Sequence, residues 1–474
     1  MRALFYKNIG YSFIAQFIQL SLSVIITLFL PLLLGVEDFG YWQLFIFYTQ
    51  YAGLFHLGII DGVYLREGGK KYSDLNYTSI GFQQRILFFI NLFFLLGFIL
   101  LAFLAKVYNR AFVISLSGVL MLLSNTTNFY SVLLSGVNEI KTTSIGRMCY
   151  SLPFLIFVLS SFLFFHIDDY KPYIIAYIFC YSFYLLYCTS HSKEIVKAAL
   201  SKGGWKYKNE LIYNLKHGFI LTIANITGML ILGITRFFID NKWGIEVFGI
   251  VSYSLVVVNF VLMFISELSG VMYPELRSME RSVVDGYFTK TQKFLLQLTP
   301  LVLLAYYPIS LLIDWLLPDY SDSARYMIYM LPVCVFEAKV MLQVNTYFKV
   351  YNMPKEMMIS NIEALGFGLT LAAVSVYVFG SVTLAVIAMP ITIVFQYFVS
   401  IKKLRKESYK NDLLGILPES LLIVFFVLIN YYIDSRYIVI LLFLVAVLVY
   451  YYYYRQQLKE TIKRFFLNGK KINH

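Results

Sequence analysis

The stretch Gly35-Val36-Glu37-Asp38-Phe39-Gly40, GVEDFG, lies between two long apolar runs and returns as GIEVFG at Gly244 to Gly249, 209 positions further on. Each copy carries glycine at both ends, the residue that turns a chain at least steric cost. What a repeated corner means depends on the solvent around it. Of 474 residues, 59% are hydrophobic and 14% charged, whereas a soluble domain carries about a quarter charged residues. A water-facing surface for so long a chain cannot be built from this composition, so its solvent is mostly lipid. The 40 tyrosines and 43 phenylalanines suit a protein with two membrane–water interfaces to populate. Cys149, Cys180, Cys188 and Cys334 lie in or beside apolar runs, without a CxxC pair or a histidine at ligand spacing. They read as buried, inert thiols, and neither a metal site nor a cofactor site is expected. The start, MRALFYKN followed by roughly 26 apolar residues, exceeds a signal-peptide core and lacks a small-residue cleavage site, so a retained first membrane helix is expected.

A hydrocarbon core of about 30 Å needs about 20 apolar residues per helix. Fourteen such runs can be marked: 9–34, 41–64, 86–105, 112–135, 149–165, 172–190, 218–239, 248–272, 294–317, 326–349, 357–378, 380–401, 414–433 and 437–454. Several nearly fuse, notably at Phe379 to Ser381, so a count of twelve or thirteen stays open. With the N-terminus inside, 31 of the 39 Lys and Arg residues fall in inner segments and 6 in outer turns, leaving Arg236 and Lys339 within helices. One missed helix would invert every later loop, so this alternation supports both the count and the direction, with both termini cytoplasmic. The net charge of +12 is spread over successive loops beside apolar helices, where it sets topology and meets anionic lipid; no nucleic-acid partner is implied. The tail RQQLKETIKRFFLNGKKINH, preceded by Tyr450 to Tyr454, reads as an aromatic belt and lipid-surface anchor.

Both corners follow an outward-running helix and precede an inward-running one, and six helices separate them. The expected architecture is therefore an all-α integral membrane protein of about fourteen helices: two six-helix lobes in parallel repeat plus two C-terminal helices. The divisions are an N-terminal lobe at 1–192, a basic cytoplasmic linker at 193–217, a second lobe at 218–410, and two extra helices with a basic tail at 411–474. The same offset links polar positions. Ser12, Gln16, Gln19, Ser23 and Thr27 share roughly one face of the first helix; shifted by 209, Gln16 becomes Asn225 and Thr27 becomes Arg236, beside Thr222. Ser117, Ser124, Asn128, Ser131 and Ser135 form a further stripe, and Lys339, Gln343 and Thr346 another. One stripe alone serves helix–helix contacts equally well. Several at corresponding points of two lobes predict an aqueous cavity. The corners are structural, with Phe39 and Phe248 expected at the interface.

An ionisable residue inside a span costs about 2.5–3.5 kcal/mol on insertion scales, so it faces a cavity or a partner. Lys339 and Glu337 lie deepest and, two apart, point to different sides. Glu363 is the expected counter-charge to Lys339. Arg236 either faces the cavity or snorkels outward, and a lone His56 is either a hydrogen-bonded structural residue or a proton carrier. Asp61, Glu267 and Arg85 are expected near cytoplasmic ends. Prolines at 153, 300, 308, 332 and 390 supply kinks. No GxxxxGK[ST] loop occurs, no loop holds a catalytic triad or a metal cluster, and outer turns are too short for a catalytic domain, so an enzyme is not expected.

LLGVEDFGYWQLF (Leu33 to Phe45), LGIIDGVYLREGGK (Leu57 to Lys70) and ITRFFIDNKWGIEVFGIVSYS (Ile234 to Ser254) resemble the polysaccharide transporter family of Wzx-type flippases, over residues 1 to about 400. Multidrug and toxin extruders and lipid II flippases belong to the same superfamily. The resemblance implies two six-helix lobes around a cavity in the bacterial cytoplasmic (inner) membrane. It also implies a cargo of undecaprenyl-pyrophosphate-linked oligosaccharide units, of O-antigen, lipopolysaccharide or capsule type, flipped from inner to outer leaflet by alternating access. A polysaccharide polymerase and a chain-length regulator are the protein partners it implies, with membrane lipids around. The family carries an acid–arginine pair before the second corner; here Arg236 follows Thr235. On this reading Arg236 and Lys339 attract the pyrophosphate, Gln16, Gln19, Asn128, Asn225 and Gln343 meet sugar hydroxyls, and Glu337, Glu363 and His56 are coupling candidates. The alternatives are a cation-coupled multidrug extruder of the same superfamily, which acidic residues in the cavity would favour, and a membrane glycosyltransferase or polymerase, which the short outer turns disfavour.

Overall fold

The structure, a computed structural model, describes residues 2–201, 203–277, 279–404 and 417–455; the side chains of 2–10, 12–13, 264, 267–268, 270–271, 273–275 and 282 lie outside that description. Every element among the described residues is helical, as a chain without water around its backbone requires, because a helix satisfies its own N–H and C=O groups. Among the described residues, twelve helical segments are long and apolar enough to cross a membrane. The first two expected spans run together as Ile14–His56, and Leu417–Tyr432 is a shorter apolar helix, which accounts for the difference from fourteen.

The chain forms two compact units. The first comprises Met1–Gly233 with Trp243–Gly249. Its helices are α1 (Arg2–Gln50), α2 (Ile59–Glu67), α3 (Tyr77–Leu104), α4 (Tyr108–Gly136), α5 (Ile140–Ser160), α6 (Tyr170–Ser190), α7 (Lys193–Leu200) and most of α8 (Lys208–Trp243). Helix α3 packs on α4, α5 on α6, and α1 on α5. Trp42, 1% exposed, sits at the centre, with Phe154 stacked at 5.9 Å and Tyr177 edge-on at 5.9 Å. The short α7 buries Ile195 and Ala199 and packs on α3, and Arg85 donates to the carbonyls of Ser201 and Gly203 just beyond it.

The second unit comprises Ile234–Lys242 with Ile250–His474. It holds α9 (Ile245–Arg277) from Ile250 onward, α10 (Arg281–Leu304), α11 (Tyr306–Leu316), α12 (Ser321–Lys339), α13 (Thr346–Val350), α14 (Pro354–Ala373), α15 (Val382–Leu404), α16 (Leu417–Tyr432) and α17 (Arg436–Tyr453). Helix α12 is its core: the Pro318–Val350 span that contains it is the most deeply buried of the twelve. Between α12 and α13 the chain is π-helical over Val340–Asn345. Further π segments end α5 at Ser161–Phe165 and α14 at Val374–Val378. Prolines 153, 300, 332 and 390 are inside α5, α10, α12 and α15, while Pro308 falls in the first turn of α11.

The two corners turn alike. Gly35 interrupts α1 with φ 66°, and Gly244, between α8 and α9, has φ 86°; both are left-handed values that favour glycine. Their second glycines meet each other. A Cβ on Gly40 would lie 2.6 Å from the Ile245 carbonyl oxygen, and one on Gly249 would lie 3.1 Å from Gly40 Cα. The repeated corner is therefore a contact, with one copy seated on the other. Phe39 and Phe248 are buried within this packing, at 0% and 1% exposed, rather than placed at an interface; Phe248 meets Phe47 edge-on at 5.8 Å.

Candidate functional site

Within the first unit, three helices aim polar side chains at one space. Helix α4 contributes Asn128, Ser131 and Ser135; α5 contributes Thr143, Arg147 and Tyr150; α6 contributes Tyr181 and Tyr184. Steps of three and four put each set on a single helix face. They line a predominantly polar cavity of about 350 Å³. Its hydroxyls are ordered: Ser131 Oγ and Tyr184 Oη are 2.6 Å apart, and Gln19 on α1 donates from Nε2 to Tyr150 Oη at 3.2 Å. Tyr150 stacks on Tyr184 at 5.7 Å and packs against Tyr181 at 5.1 Å, making a fixed aromatic wall. Arg147 is half-buried, and no carboxylate among the described residues forms an ion pair with it. A guanidinium stays charged in any protein setting, so the cavity carries a lasting positive charge next to hydroxyl, amide and aromatic groups.

Of the residues singled out from sequence, Gln19, Asn128, Ser131 and Ser135 are brought together here. Gln16 is half-buried on α1, and the side chain of Ser12 lies outside the described residues. Thr27 turns back to its own helix, donating to the Ser23 carbonyl at 2.7 Å, and Ser124 donates likewise to Met121 at 3.2 Å. Asn225 is exposed on α8. Arg147 and the tyrosines were legible in principle. Thr143, Arg147 and Tyr150 keep helical spacing, as do Tyr173, Tyr177, Tyr181 and Tyr184, but a cation near a helix end is easily counted as a loop anchor.

The remaining candidates are in the second unit or at a helix break. Arg236, 6% exposed, donates from Nε and Nη2 to Ser252 Oγ at 3.2 and 2.8 Å, so it does not snorkel outward. Lys339 is fully buried and ion-paired with Glu419 on α16, both side chains 0% exposed. Thr299 Oγ1 donates to the other Glu419 oxygen at 2.5 Å, and Phe336 and Tyr397 rings lie 5.0 and 5.7 Å from the ammonium. The expected pairing with Glu363 is thus corrected: Glu363, exposed on α14, pairs with Lys403 at 2.9 Å. Gln343, buried in the π segment, accepts from Tyr397 Oη at 3.4 Å. Glu337 is half-buried on α12 and forms no ion pair among the described residues, and the side chain of Glu267 lies outside them.

The second apolar run is not one helix. A 3₁₀ turn, Ala52–His56, gives way to α2 through Leu57 and Gly58, with φ of 51° and 87°. Freed backbone groups need partners at such a break, and Asn125 supplies one, donating to the Ala52 carbonyl at 2.8 Å and to Asn91 Oδ1 at 2.7 Å. His56 and Asp61 come together here, Nε2 to Oδ2 at 4.0 Å, and Thr222 of α8 donates to Asp61 at 2.5 Å. Asp61 is therefore part of a polar cluster at a broken helix, not a solitary interfacial acid.

No family model and no curated protein matches the chain. Solved structures do. The lipid II flippase MurJ in its inward closed conformation aligns with a TM-score of 0.67 at 11% identity, covering 96% of this chain and 100% of that one. A multidrug resistance MATE family transporter of the MOP superfamily aligns in its inward-facing conformation with a TM-score of 0.57 at 12% identity, covering 82% and 92%. An outward-facing structure of such a MATE transporter aligns at 0.50 and 13% identity, covering 83% and 91%. Identity this low shows the fold alone: the chain has the helical fold shared by these flippase and multidrug-transporter structures.

Proposed function

We propose that this protein is a flippase for polyprenyl-pyrophosphate-linked oligosaccharides in a bacterial cytoplasmic membrane, moving them from the inner to the outer leaflet by alternating access. The observation that carries the reading is the Arg147 cavity, a guanidinium without an ion pair among the described residues, beside tyrosine, serine and asparagine groups. A pyrophosphate and its sugars cannot enter hydrocarbon without losing hydration worth several kcal/mol per polar group. A guanidinium replaces water around phosphate with directed, charge-assisted hydrogen bonds, amides and hydroxyls do so around sugar hydroxyls, and tyrosine faces cover the apolar faces of sugar rings. The MurJ likeness adds support, since that neighbour is a lipid II flippase. Arg147 takes the part the sequence assigned to Arg236 and Lys339, whose charged groups are engaged with Ser252 and Glu419.

The test is reconstitution of the full chain in vesicles holding fluorescent undecaprenyl-pyrophosphoryl-N-acetylglucosamine, with leaflet exchange read by an impermeant quencher. A charge-assisted hydrogen bond contributes about 1.5–3 kcal/mol, so Arg147→Ala is expected to slow exchange about tenfold or more, with Arg147→Lys between. Wild-type rates in Arg147→Ala would overturn the assignment. The MATE-like fold supports a second reading, a cation-coupled drug extruder. Drug susceptibility that changes on deletion, with surface glycan intact, would select it.

A further inference from the structure

The break between the 3₁₀ turn and α2 holds more than a hinge. Gly58 N–H donates to His56 Nδ1 at 3.1 Å, so the proton of the neutral ring sits on Nε2, the nitrogen 4.0 Å from Asp61 Oδ2. Thr222 Oγ1 is 2.5 Å from that same oxygen and 3.1 Å from the Gly218 carbonyl of its own helix. One hydroxyl proton serves one acceptor at a time. With Asp61 ionised, the hydroxyl donates to the carboxylate, at a distance usual for such a bond. With Asp61 protonated, the carboxyl donates to Thr222 Oγ1 and the hydroxyl turns to the Gly218 carbonyl. Both arrangements close, so the site takes up a proton without orphaning a polar group. The Asp61 side chain is 23% exposed, and that of His56 11%, so the acid is the accessible member. Neutral groups face the break from the other elements, Asn91 of α3, Asn125 of α4 and Thr222 of α8. The next titratable groups are engaged elsewhere among the described residues: Arg66 and Lys70 with Glu67, Arg66 with Glu210, and His217 Nδ1 with the Tyr213 carbonyl.

The cluster also bears directly on α8. A Cβ on Gly62 would strike the Asn214 backbone, and one on Gly218 would strike the Gly58 carbonyl, so backbone touches backbone on both sides of Asp61. A change in the Asp61–Thr222 contact therefore acts where α2 and α8 have no slack. We propose that Asp61, with His56 and Thr222, is the proton-binding site of the transport cycle: it takes one proton from the aqueous phase and exchanges the Thr222–Asp61 bond for an Asp61–Thr222–Gly218 chain, which resets the seat of α8. This rests on the transporter reading above, and its test separates the two.

In full-length protein in lipid nanodiscs, infrared difference spectra over about pH 4 to 9 are expected to show a carboxylic C=O band that grows on acidification, disappears in Asp61→Asn and changes frequency in Thr222→Val. A spectrum that Asp61→Asn leaves unchanged overturns the site whatever the protein carries. In vesicles with the fluorescent pyrophosphoryl probe, an imposed pH difference is expected to shift the leaflet distribution at least threefold, a response that Asp61→Asn and His56→Gln abolish. A full pH response in Asp61→Asn, or a response to a sodium gradient in place of protons, overturns the proposal. Wild-type protein that exchanges no probe counts against the flippase reading, and the infrared band then decides the site by itself.

Discussion

The buried pair Lys339–Glu419 shows what one residue could and could not announce. An ammonium in mid-span demands a partner, so the cost of Lys339 was legible. The partner was not, because Glu419 lies 80 residues away on a helix with its own phase. The pair also sets a stability prediction. Removing one member of a buried pair leaves an uncompensated charge and costs about 3–5 kcal/mol. Glu419→Ala is expected to lower the thermal midpoint of the detergent-purified protein sharply, whereas Lys339→Met combined with Glu419→Leu restores it to near wild type. Equal midpoints for the single variant and the wild type would mean that the ammonium finds water or another acid once Glu419 is gone.

At the scale of elements, the corners carry a rule that the sequence displayed and a contact that it did not. Glycine at both ends of GVEDFG and GIEVFG was plain, and the first glycine of each does take positive φ. That the second glycine of one copy rests on the other copy needed the helices in place, since 209 residues lie between them. Each glycine thus has its own prediction. Gly244→Ala strains only the backbone, because nothing beyond its chain neighbours lies within 4 Å of its added Cβ, and costs about 1–2 kcal/mol. Gly40→Val must drive the Ile245 carbonyl away from a fully packed junction, and overpacking of this kind costs about 1–3 kcal/mol or more. Ranked thermal midpoints, with Gly40→Val below Gly244→Ala, check it; the reverse order would show that the corners do not bear on each other in the membrane. Helix breaks were the least legible elements. The run at 41–64 is apolar on balance even with His56 and Asp61 inside it, so hydropathy reads through Leu57 and Gly58, and only the positive φ values reveal the interruption.

For the whole molecule, the membrane class came from composition and the fold from the pattern of runs, because lipid permits so few solutions. The candidate site was half visible: polar residues inside apolar helices stand out, while Arg147 and the tyrosines blend into the interfacial cations and aromatics that any membrane protein carries. Direction in the membrane rests on the distribution of Lys and Arg, and it can be read from both units. Ser73 and Lys355 lie in segments assigned to the basic side, Lys106 and Asp319 in turns assigned to the other, and all four are exposed. Single cysteines at these positions, in a chain with Cys149, Cys180, Cys188 and Cys334 changed to alanine, are expected to separate cleanly. Lys106→Cys and Asp319→Cys react with a membrane-impermeant maleimide in intact cells, and Ser73→Cys and Lys355→Cys react only once the membrane is opened. Agreement between the units follows if each is crossed by an odd number of spans between its two test positions: α3 between Ser73 and Lys106, and the Pro318–Val350 span between Asp319 and Lys355. Labelling of Ser73→Cys from outside would reverse the first unit, and with it the direction of transport in the proposed flippase cycle.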